Sequence, residues 1–386
     1  MPQIFPFKGV LPDAGLAESI LKGKEFSSYP EISEGFQDYI KKGKIKQDKF
    51  ACFYIYRQWG ADRSFTGIWT STSVSDLRNG SIRKHEKIHA ERSEWVKNMF
   101  SDKKIDFNPV LITYPENQVL EFFLKNMKER SPFLRVLDPI LGTGTEVWRV
   151  EKEAEIEFIQ KEFQKIPRVY LADGHHRAAA FESYIDEMGK GQMGVNEPGF
   201  SSIYFSLKEV ELKPYHRLVR LFDPRLLSEC MHMIEREFEL HPLHPFKVPK
   251  KKGNFVLVNA DRKIYSMKLK KDSRFFREFS LDTLSPEETV QNLDVIILQE
   301  SIFNTILQLH HNPLGTLDFI GGNQDIENLI FKVFKGDYSM AFLLSPPEFQ
   351  EIRIISDHGL TMPPKSTYFE PKIPSGLIIQ NFEGGV

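Results

Sequence analysis

The sequence predicts a mixed α/β protein with two lobes, and three observations support this fold class. Short runs rich in aromatic and β-branched residues, such as 51–56 and 65–70, are typical of strands. Stretches with apolar residues at helical spacing, such as 115–130, alternate with such runs. The chain has 386 residues, which is more than one small core requires. We therefore expect a mixed sheet with flanking helices and a second α/β lobe.

A proline- and lysine-rich run at 241–253 indicates a boundary between the lobes. We assign residues 1–240 to a phosphate-binding lobe and residues 241–386 to a C-terminal α/β lobe, in which the runs at 254–259 and 263–269 predict strands. The tail, residues 362–378, contains prolines that stiffen the backbone. We expect this tail to pack back toward the site of the first lobe.

Elements of the first lobe follow one another closely. From Lys84 to Phe100 the apolar residues recur at helical spacing, and His85 and Arg92 fall on the same stripe, so both are expected to point inward. The further elements predicted by pattern are a strand at 109–113, a helix at 115–130, a strand that ends at 150, a helix from 156, a strand at 168–172, a helix at 181–188, and, in the second lobe, a helix at 290–308 and a strand at 340–344.

Composition limits the class of partner. Fifty-one basic and fifty-three acidic side chains give a net charge of -2, so no overall field attracts nucleic acid or an anionic membrane. The cysteines, Cys52 and Cys230, match no metal spacing and are expected to be buried thiols, with a single long-range disulfide as the alternative. The N-terminal residues do not read as a secretion signal, and no apolar stretch approaches about 20 residues. We expect a cytoplasmic protein with a small-molecule or nucleotide ligand, while the oligomeric state stays open.

The segment from Asp173 to Arg177 concentrates functional groups at a predicted strand-to-helix turn. Gly174 permits a tight turn, and the free N–H groups of the following helix favour an anion. Arg177 offers a two-pronged donor, and His175 and His176 offer donors near neutral pH. Asp173 could take a proton or hold a metal ion. The alternative is that Asp173 is only a helix cap and the basic residues are solvated.

A second pattern, His85-Glu86-Lys87-Ile88-His89, satisfies the H-E-x-x-H signature of zinc proteases, in which Glu86 would be the general base. A zinc-dependent hydrolase is therefore one hypothesis. Arg92 follows on the same predicted face, and its cation disfavours a bound dication. His85, Glu86 and Arg92 could instead serve an anion site, or form an internal salt-bridge network.

Two further groups could add positive charge. His216 and Arg217 follow a strand and could form a cationic wall, or they could be ordinary surface residues. Lys365, Ser366 and Thr367 follow two prolines and present an ammonium and two hydroxyls that could hold a phosphate. The alternative for this tail is packing across the first lobe, although Lys-Ser-Thr is a poor core sequence.

Four motifs occur in order along the chain: GSIRKHEKIHAER, LADGHHRAAAF, LKPYHRLV and MPPKSTYFEPK. Together they resemble the bacterial and archaeal family named domain of unknown function ten-fifteen. The family's N-terminal Pro-Tyr-Asp element is not found, so no acidic catalytic residue is assigned around Glu31. The D-G-H-H-R element is similar to the phosphate-binding helix start of the ParB and sulfiredoxin fold, which an archaeal kinase of free serine shares. The resemblance thus implies a ParB/sulfiredoxin-like core.

The leading hypothesis is a phosphate- or nucleotide-binding enzyme with kinase-like or phosphohydrolase-like activity on a small metabolite. Asp173, His176 and Glu86 are the candidate catalytic residues. If a nucleotide is the ligand, Mg²⁺ with ATP or ADP is the expected cofactor. The alternative from another class is a non-catalytic nucleotide-binding switch. The candidate phosphate-binding residues are Gly174, His175, Arg177, His85, Arg92, His216, Arg217, Lys365, Ser366 and Thr367.

Overall fold

The structure, a computed structural model, describes residues 1–26, 29–60, 62–138, 142–189, 199–221, 223–276, 284–304 and 316–382. Helices and strands follow each other in mixed order, which confirms the predicted mixed α/β class. The chain divides into two compact units. Unit one comprises Met1–Lys84, Ile88–Glu211 and Pro371–Val386, and unit two comprises His85–Lys87 and Leu212–Glu370.

The elements of unit one come from both ends of the chain. Its strands are β1 (Ile4–Phe5), β2 (Gly9–Pro12), β3 (Ile45–Gln47), β4 (Phe53–Trp59), β5 (Ser64–Ser73), β6 (Ile82–Arg83), β7 (Ile105–Asp106), β8 (Val110–Tyr114), β9 (Leu134–Asp138), β10 (Thr143–Val150), β11 (Val169–Asp173), β12 (Gly199–Ser206) and β21 (Ile379–Asn381). Its helices are α1 (Ala14–Leu21), α2 (Tyr29–Lys41), α3 (Ser75–Arg78), α4 (Ala90–Lys103), α5 (Gln118–Lys128), α6 (Glu153–Phe163) and α7 (His175–Gly189).

The large sheet of unit one has the order β6-β11-β8-β12-β5-β4-β10-β9 among the described residues, and β1 pairs with β5. Strand β8 runs parallel to β12 but antiparallel to β11, so the sheet is mixed. Residues Val169 to Leu171 of β11 are almost fully buried, as an apolar strand flanked on both sides requires. Helix α7 packs Phe181 and Tyr184 into the same core. The end of β11 and the start of α7 are thereby fixed by the core beneath them.

A second sheet of unit one, β3-β2-β21-β7, includes a strand from the C-terminal segment. β21 pairs with β2 and with β7, which are separated from it by more than two hundred residues of chain. The Gln380 amide donates to Ser71 Oγ at 3.0 Å and to the Gly199 carbonyl at 2.9 Å. The tail region predicted at 362–378 is therefore divided, because residues up to Glu370 belong to unit two and residues from Pro371 belong to unit one.

Unit two contains the remaining elements. Its strands are β13 (Glu211–Lys213, which begins at the last residue of that segment of unit one), β14 (Tyr215–Val219), β15 (Phe238–Pro242), β16 (Asn254–Asn259), β17 (Ile264–Leu269), β18 (Leu317–Gly321), β19 (Met340–Leu343) and β20 (Tyr368–Glu370). Its helices are α8 (Pro224–Glu237), α9 (Pro286–Gln291), α10 (Asp294–Leu298), which continues as a π-helix over Gln299–Asn304, α11 (Ile326–Lys335) and α12 (Phe349–Asp357).

The main sheet of unit two has the order β15-β17-β16-β19-β14-β18 among the described residues. Strand β14 pairs with β18 and β19, so the chain already belongs to this sheet at Tyr215. The division between the units thus lies near residue 212 rather than at the predicted residue 240, which falls within β15. The proline- and lysine-rich run that indicated a boundary connects two strands of one sheet.

The predicted helix from Lys84 to Phe100 begins only at Ala90, so its N-terminal part was wrong. Residues 84–89 are not helical, and Glu86 instead forms a parallel bridge with Met362 in unit two. The predicted helix at 290–308 is shorter and broken, and its residues 305–308 lie outside the described residues. Among the described helices, none has the length and apolarity needed to cross a bilayer.

Candidate functional site

The turn between β11 and α7 has the predicted strand, turn and helix. Gly174 has a φ of +95°, which L side chains rarely adopt. A β-carbon at this position would also lie 2.8 Å from Nη2 of Arg177. The Ala178 N–H donates to the Gly174 carbonyl at 2.9 Å, so the helix starts directly after the turn. In an α-helix the N–H groups of the first turn are not used by the intrahelical ladder, and many anion sites are built on such a helix start.

Asp173, at the end of β11, is held by two cations. Lys372 Nζ lies 2.8 Å from Oδ2, and Arg177 Nη2 lies 3.9 Å from Oδ1. Burial opposes ionisation of Asp173, but the charges of Arg177 and Lys372 outweigh it and lower the pKa to about 2. The side chain is ionised at neutral pH and is a weak general base. Its charge suits the holding of a cation better than the removal of a proton.

Arg177 is largely engaged by the protein itself. Its Nη1 donates to the carbonyl of Asn108 at 2.8 Å and to the carbonyl of Pro109 at 2.6 Å. Its Nη2 faces Asp173, and the side chain is only 19% exposed. The guanidinium thus ties the start of α7 to the loop before β8. The donors that it could offer to a phosphate are correspondingly fewer than the sequence alone indicates.

The two histidines of the turn differ. His175 is buried, with 3% of its surface exposed, and its charge contributes to the low pKa of Asp173. His176 is partly exposed and its Nδ1 lies 3.3 Å from Ser93 Oγ on α4. His89 is the residue directly before α4, and its ring stacks on the ring of His176 with centroids 5.7 Å apart. The starts of α4 and α7 therefore meet at a polar cluster formed by His89, Ser93 and His176.

Sequence reasoning missed Ser93 as a member of this cluster and assigned His89 to a zinc motif. The cluster depends on the packing of α4 against α7, which no local pattern in the sequence indicates. Arg92 was predicted to point inward, but it is exposed. The buried positions of α4 are instead Lys97 and Phe100, because the apolar stripe was placed about one residue out of register. Arg92 can still meet a ligand from solvent.

Asp106 is a buried acid that the sequence did not single out. It accepts the Asn108 N–H at 3.2 Å and the Ser201 N–H at 3.1 Å. Burial dominates over these bonds and over the attraction of Arg177, and it raises the pKa of Asp106 to about 7. Asp106 thus titrates near neutral pH beside the loop that Arg177 holds.

The other predicted residues belong to unit two. His85 is buried, and its Nε2 lies 3.2 Å from Thr367 Oγ1. Its carbonyl accepts the Met362 N–H at 2.7 Å, next to the bridge between Glu86 and Met362. Ser366 is buried and donates to the Pro363 carbonyl at 2.7 Å. Unit two therefore gathers His85, Glu86 and the Lys-Ser-Thr segment in one place.

His216 and Arg217 do not form one cationic wall, contrary to the prediction. They are adjacent on β14, so their side chains lie on opposite faces of the sheet, and both are buried. Burial, with a smaller contribution from Arg217, lowers the pKa of His216 to about 4, so His216 is neutral. Its Nδ1 accepts the Leu344 N–H at 3.2 Å. Arg217 alone carries charge on this strand.

The zinc hypothesis loses its geometric basis. The zinc-protease signature places its two histidines on one face of a helix, but His85 and His89 both precede the start of α4. The His89 ring is stacked on His176. Among the described residues, no three His, Cys, Asp or Glu side chains lie close enough together to hold a metal ion. Glu86 is correspondingly not the base of a zinc site.

Comparison with known proteins gives one family. The family model described as "Protein of unknown function (DUF1015)" matches residues 10–296. This range includes the first three motifs of the resemblance, while MPPKSTYFEPK lies beyond it. No curated protein matches the chain.

Several solved structures are similar to the chain at low identity. A free serine kinase in complex with AMP has 12% identity and a TM-score of 0.40, and the match covers 83% of this chain and 93% of that chain. A conserved hypothetical protein from Pyrococcus furiosus has 12% identity and a TM-score of 0.38, with 82% and 96% covered. SbnI with a C-terminal truncation, from Staphylococcus aureus, has 11% identity and a TM-score of 0.39, with 80% and 85% covered. Likeness at this level establishes no function for the chain.

Proposed function

We propose that this chain, which belongs to the family "Protein of unknown function (DUF1015)", is a phosphate- or nucleotide-binding enzyme with kinase-like activity on a small metabolite. The observation that carries the proposal is the turn at Gly174, whose φ of +95° brings the chain from β11 directly into the first turn of α7. Backbone N–H groups in the first turn of a helix commonly bind phosphate oxygens, and a strand-to-helix turn of this kind brings a ligand close to them.

The side chains around this turn have distinct roles in the proposal. The exposed Arg92 donates to phosphate oxygens from the start of α4, and Arg177 adds charge at the start of α7. His175 is buried and supports the turn from within. Asp173 is an ionised, partly exposed carboxylate, so it fits one ligand position of a Mg²⁺ ion that ATP or ADP would bring. When bound, that ion would neutralise phosphate charge.

A phosphoryl transfer also needs a group that accepts the proton of the attacking hydroxyl. Asp173 is poorly suited to this because its pKa is lowered to about 2. His176 is the better candidate, since imidazole is the commonest general base in enzymes and the Nδ1 atom of His176 lies 3.3 Å from Ser93 Oγ, which orients the ring. We therefore assign the base to His176 and the cation-holding role to Asp173.

The rival is a nucleotide-binding switch without catalysis. One observation favours it: Arg177, the expected phosphate donor, is bound to the carbonyls of Asn108 and Pro109. A site whose main cation is structural can hold a ligand without stabilising a transition state. In both cases we propose a cytoplasmic location, because Cys52 and Cys230 are free buried thiols.

Calorimetric titration with Mg-ADP and Mg-ATP tests binding, with the variants Arg92→Ala and Arg177→Lys. Both should weaken binding at least tenfold. Arg135→Ala is the matched control, because Arg135 is an exposed cation paired with Glu146 in the same unit. A wild-type protein that binds neither nucleotide, or variants that bind like wild type, would contradict the proposal.

Turnover separates the enzyme from the switch. The protein is incubated with Mg-ATP and pooled amino acids or sugars, and release of ADP is measured against a reaction without acceptor. Acceptor-dependent ADP release that His176→Ala abolishes supports the kinase-like activity. Tight binding without release over a broad panel would favour the switch.

A further inference from the structure

The turn from Pro363 to Thr367 in unit two holds a lysine in an unfavourable backbone conformation. Lys365 has a φ of +59°, in the left-handed region that favours glycine. Its side chain is exposed, so no packing requirement explains a lysine there. Strained non-glycine residues of this kind persist where the surrounding structure fixes them, and they are frequent at ligand sites.

The turn is fixed at its centre and at its C-terminal end by residues of unit two. Arg217 Nη2 donates to the Lys365 carbonyl at 3.0 Å, and Nη1 donates to the Tyr215 carbonyl at 2.8 Å. The guanidinium also stacks on the Phe319 ring at 4.5 Å. On the other side, Thr367 Oγ1 lies 3.2 Å from His85 Nε2. The turn is therefore rigid, with the Lys365 ammonium 5.1 Å from the centre of the Tyr215 ring.

Positive charge at this turn is not balanced. Arg217 is only 3% exposed, and within the described part of the chain no carboxylate lies within ion-pair distance of it. Burial lowers its pKa to about 9, so the guanidinium is still charged at neutral pH. The Lys365 ammonium likewise has no ion-pair partner among the residues described. Two cations without a carboxylate partner in the described ranges therefore meet at this turn, and an anion from solution can reach the exposed one, Lys365.

We propose that the Pro363–Thr367 turn is a phosphate-binding site of unit two, in which the Lys365 ammonium contacts the anion and Arg217 is the positioning residue that holds Lys365 left-handed. The ligand is a phosphate group, either free inorganic phosphate or the phosphate of an ester such as a nucleotide. This site goes beyond the proposed function, since it lies within unit two and does not depend on the turn at Gly174.

The decisive variant is Lys365→Gly. Glycine accepts the left-handed backbone, so the variant should be at least as stable as wild type, while the phosphate contact is lost. Arg262→Gly is the matched control, because Arg262 is also an exposed cation in unit two with a φ of +59°. Binding is measured on the full chain by titration with inorganic phosphate and with ADP, with NMR amide shifts of residues 362–368 as the local readout.

We expect Lys365→Gly to lower the affinity for phosphate, measured from the amide shifts, at least tenfold without lowering the melting temperature. Arg262→Gly should leave that affinity unchanged. The titrant that binds more tightly identifies the source of the phosphate group. Absence of phosphate-dependent shifts at 362–368 in wild type, or equal binding by Lys365→Gly, would overturn the proposal. Arg177 lies in unit one, so the effect of Arg177→Lys on nucleotide binding tests the proposed function and not the site at Lys365. Either proposal can therefore fail while the other stands.

The role of Arg217 is tested by a double-variant cycle with Arg217→Met. If Arg217 acts through Lys365, the double variant Arg217→Met/Lys365→Gly should bind phosphate no more weakly than Lys365→Gly alone. Losses that simply add would show an independent contact and overturn the positioning role. Should Arg217→Met fail to fold, Arg217→Lys keeps a charge but not the two-carbonyl fork, and the same non-additivity is expected.

Discussion

The guanidinium of Arg177 lies directly against Gly174, so that a β-carbon at position 174 would come within 2.8 Å of Nη2. The same guanidinium donates to the carbonyls of Asn108 and Pro109. Glycine is thus required twice at one position, by the left-handed backbone and by the side chain that lies across it. The turn at Gly174 and the loop before β8 are therefore held together by one side chain.

Gly174→Ala should destabilise unit one by about 2–4 kcal/mol, since a left-handed alanine costs about 1–2 kcal/mol and the contact with Arg177 adds to it. Gly336→Ala is the matched control. Gly336 has a φ of +92°, and a β-carbon there would meet nothing within 4 Å. Gly336→Ala should therefore lose only the stability that a left-handed alanine backbone costs. Urea unfolding of both variants measures the difference, and equal losses would show that the contact with Arg177 yields freely.

Lys372→Met should raise the pKa of Asp173 from about 2 toward its ordinary value of 3.8, because one of the two cations that oppose the effect of burial is removed. A carboxyl group whose pKa is lower in the folded chain than in the unfolded chain stabilises the fold at every pH above the unfolded pKa. This stabilisation is lost as the pH falls through the folded pKa. The variant should accordingly lose this stability at a higher pH than wild type. Carboxyl NMR titration measures the pKa. Lys161→Met, which removes an exposed partner of Glu157, should leave it unchanged.

Asp106→Asn should remove a pH dependence of stability. Burial raises the pKa of Asp106 from 3.8 to about 7, so the folded chain binds its proton more tightly than the unfolded chain. The stabilising contribution is complete below the unfolded pKa and is lost as the pH rises through about 7. Wild type should lose up to about 1.4 kcal/mol per pH unit from this group between about pH 4 and 7. Denaturant unfolding at several pH values checks this, and parallel pH profiles for wild type and variant would contradict it.

Removal of zinc should have no effect. Since His85 and His89 precede α4, they cannot present two ligands on one helical face. Protein dialysed against a chelator should keep its melting temperature, and elemental analysis before dialysis should find no stoichiometric zinc. One zinc per chain that is lost in His89→Ala would revive the hydrolase hypothesis.

Local signals were enough to predict the turn at Gly174. An apolar run, an Asp-Gly pair and a helical period are adjacent in the sequence, and each is set by the backbone chemistry of a few residues. The partners of that turn could not be predicted in this way. Arg177 reaches carbonyls 68 and 69 residues away, and Lys372 reaches Asp173 across 199 residues. Such contacts depend on the sheet order, which the pattern does not contain.

The start of α4 shows a different limit. Periodicity placed the helix from Lys84 because apolar residues happen to recur there, yet Trp95, the largest of them, is 57% exposed. The helix begins where His89 has an extended backbone and where Glu86 already pairs with Met362. A bridge to a residue nearly three hundred positions further along the chain thus outweighs a weak local preference for helix.

The position of β21 between β2 and β7 has a consequence for synthesis on the ribosome. Strands β2 and β7 are made early in translation. The position between them stays empty until Ile379–Asn381, which form β21, have left the exit tunnel. The Gln380 amide, which joins Ser71 to Gly199, arrives equally late. Unit one therefore cannot close its smaller sheet before unit two has been made, so a nascent chain passes through a stage with an open strand edge that chaperones could recognise.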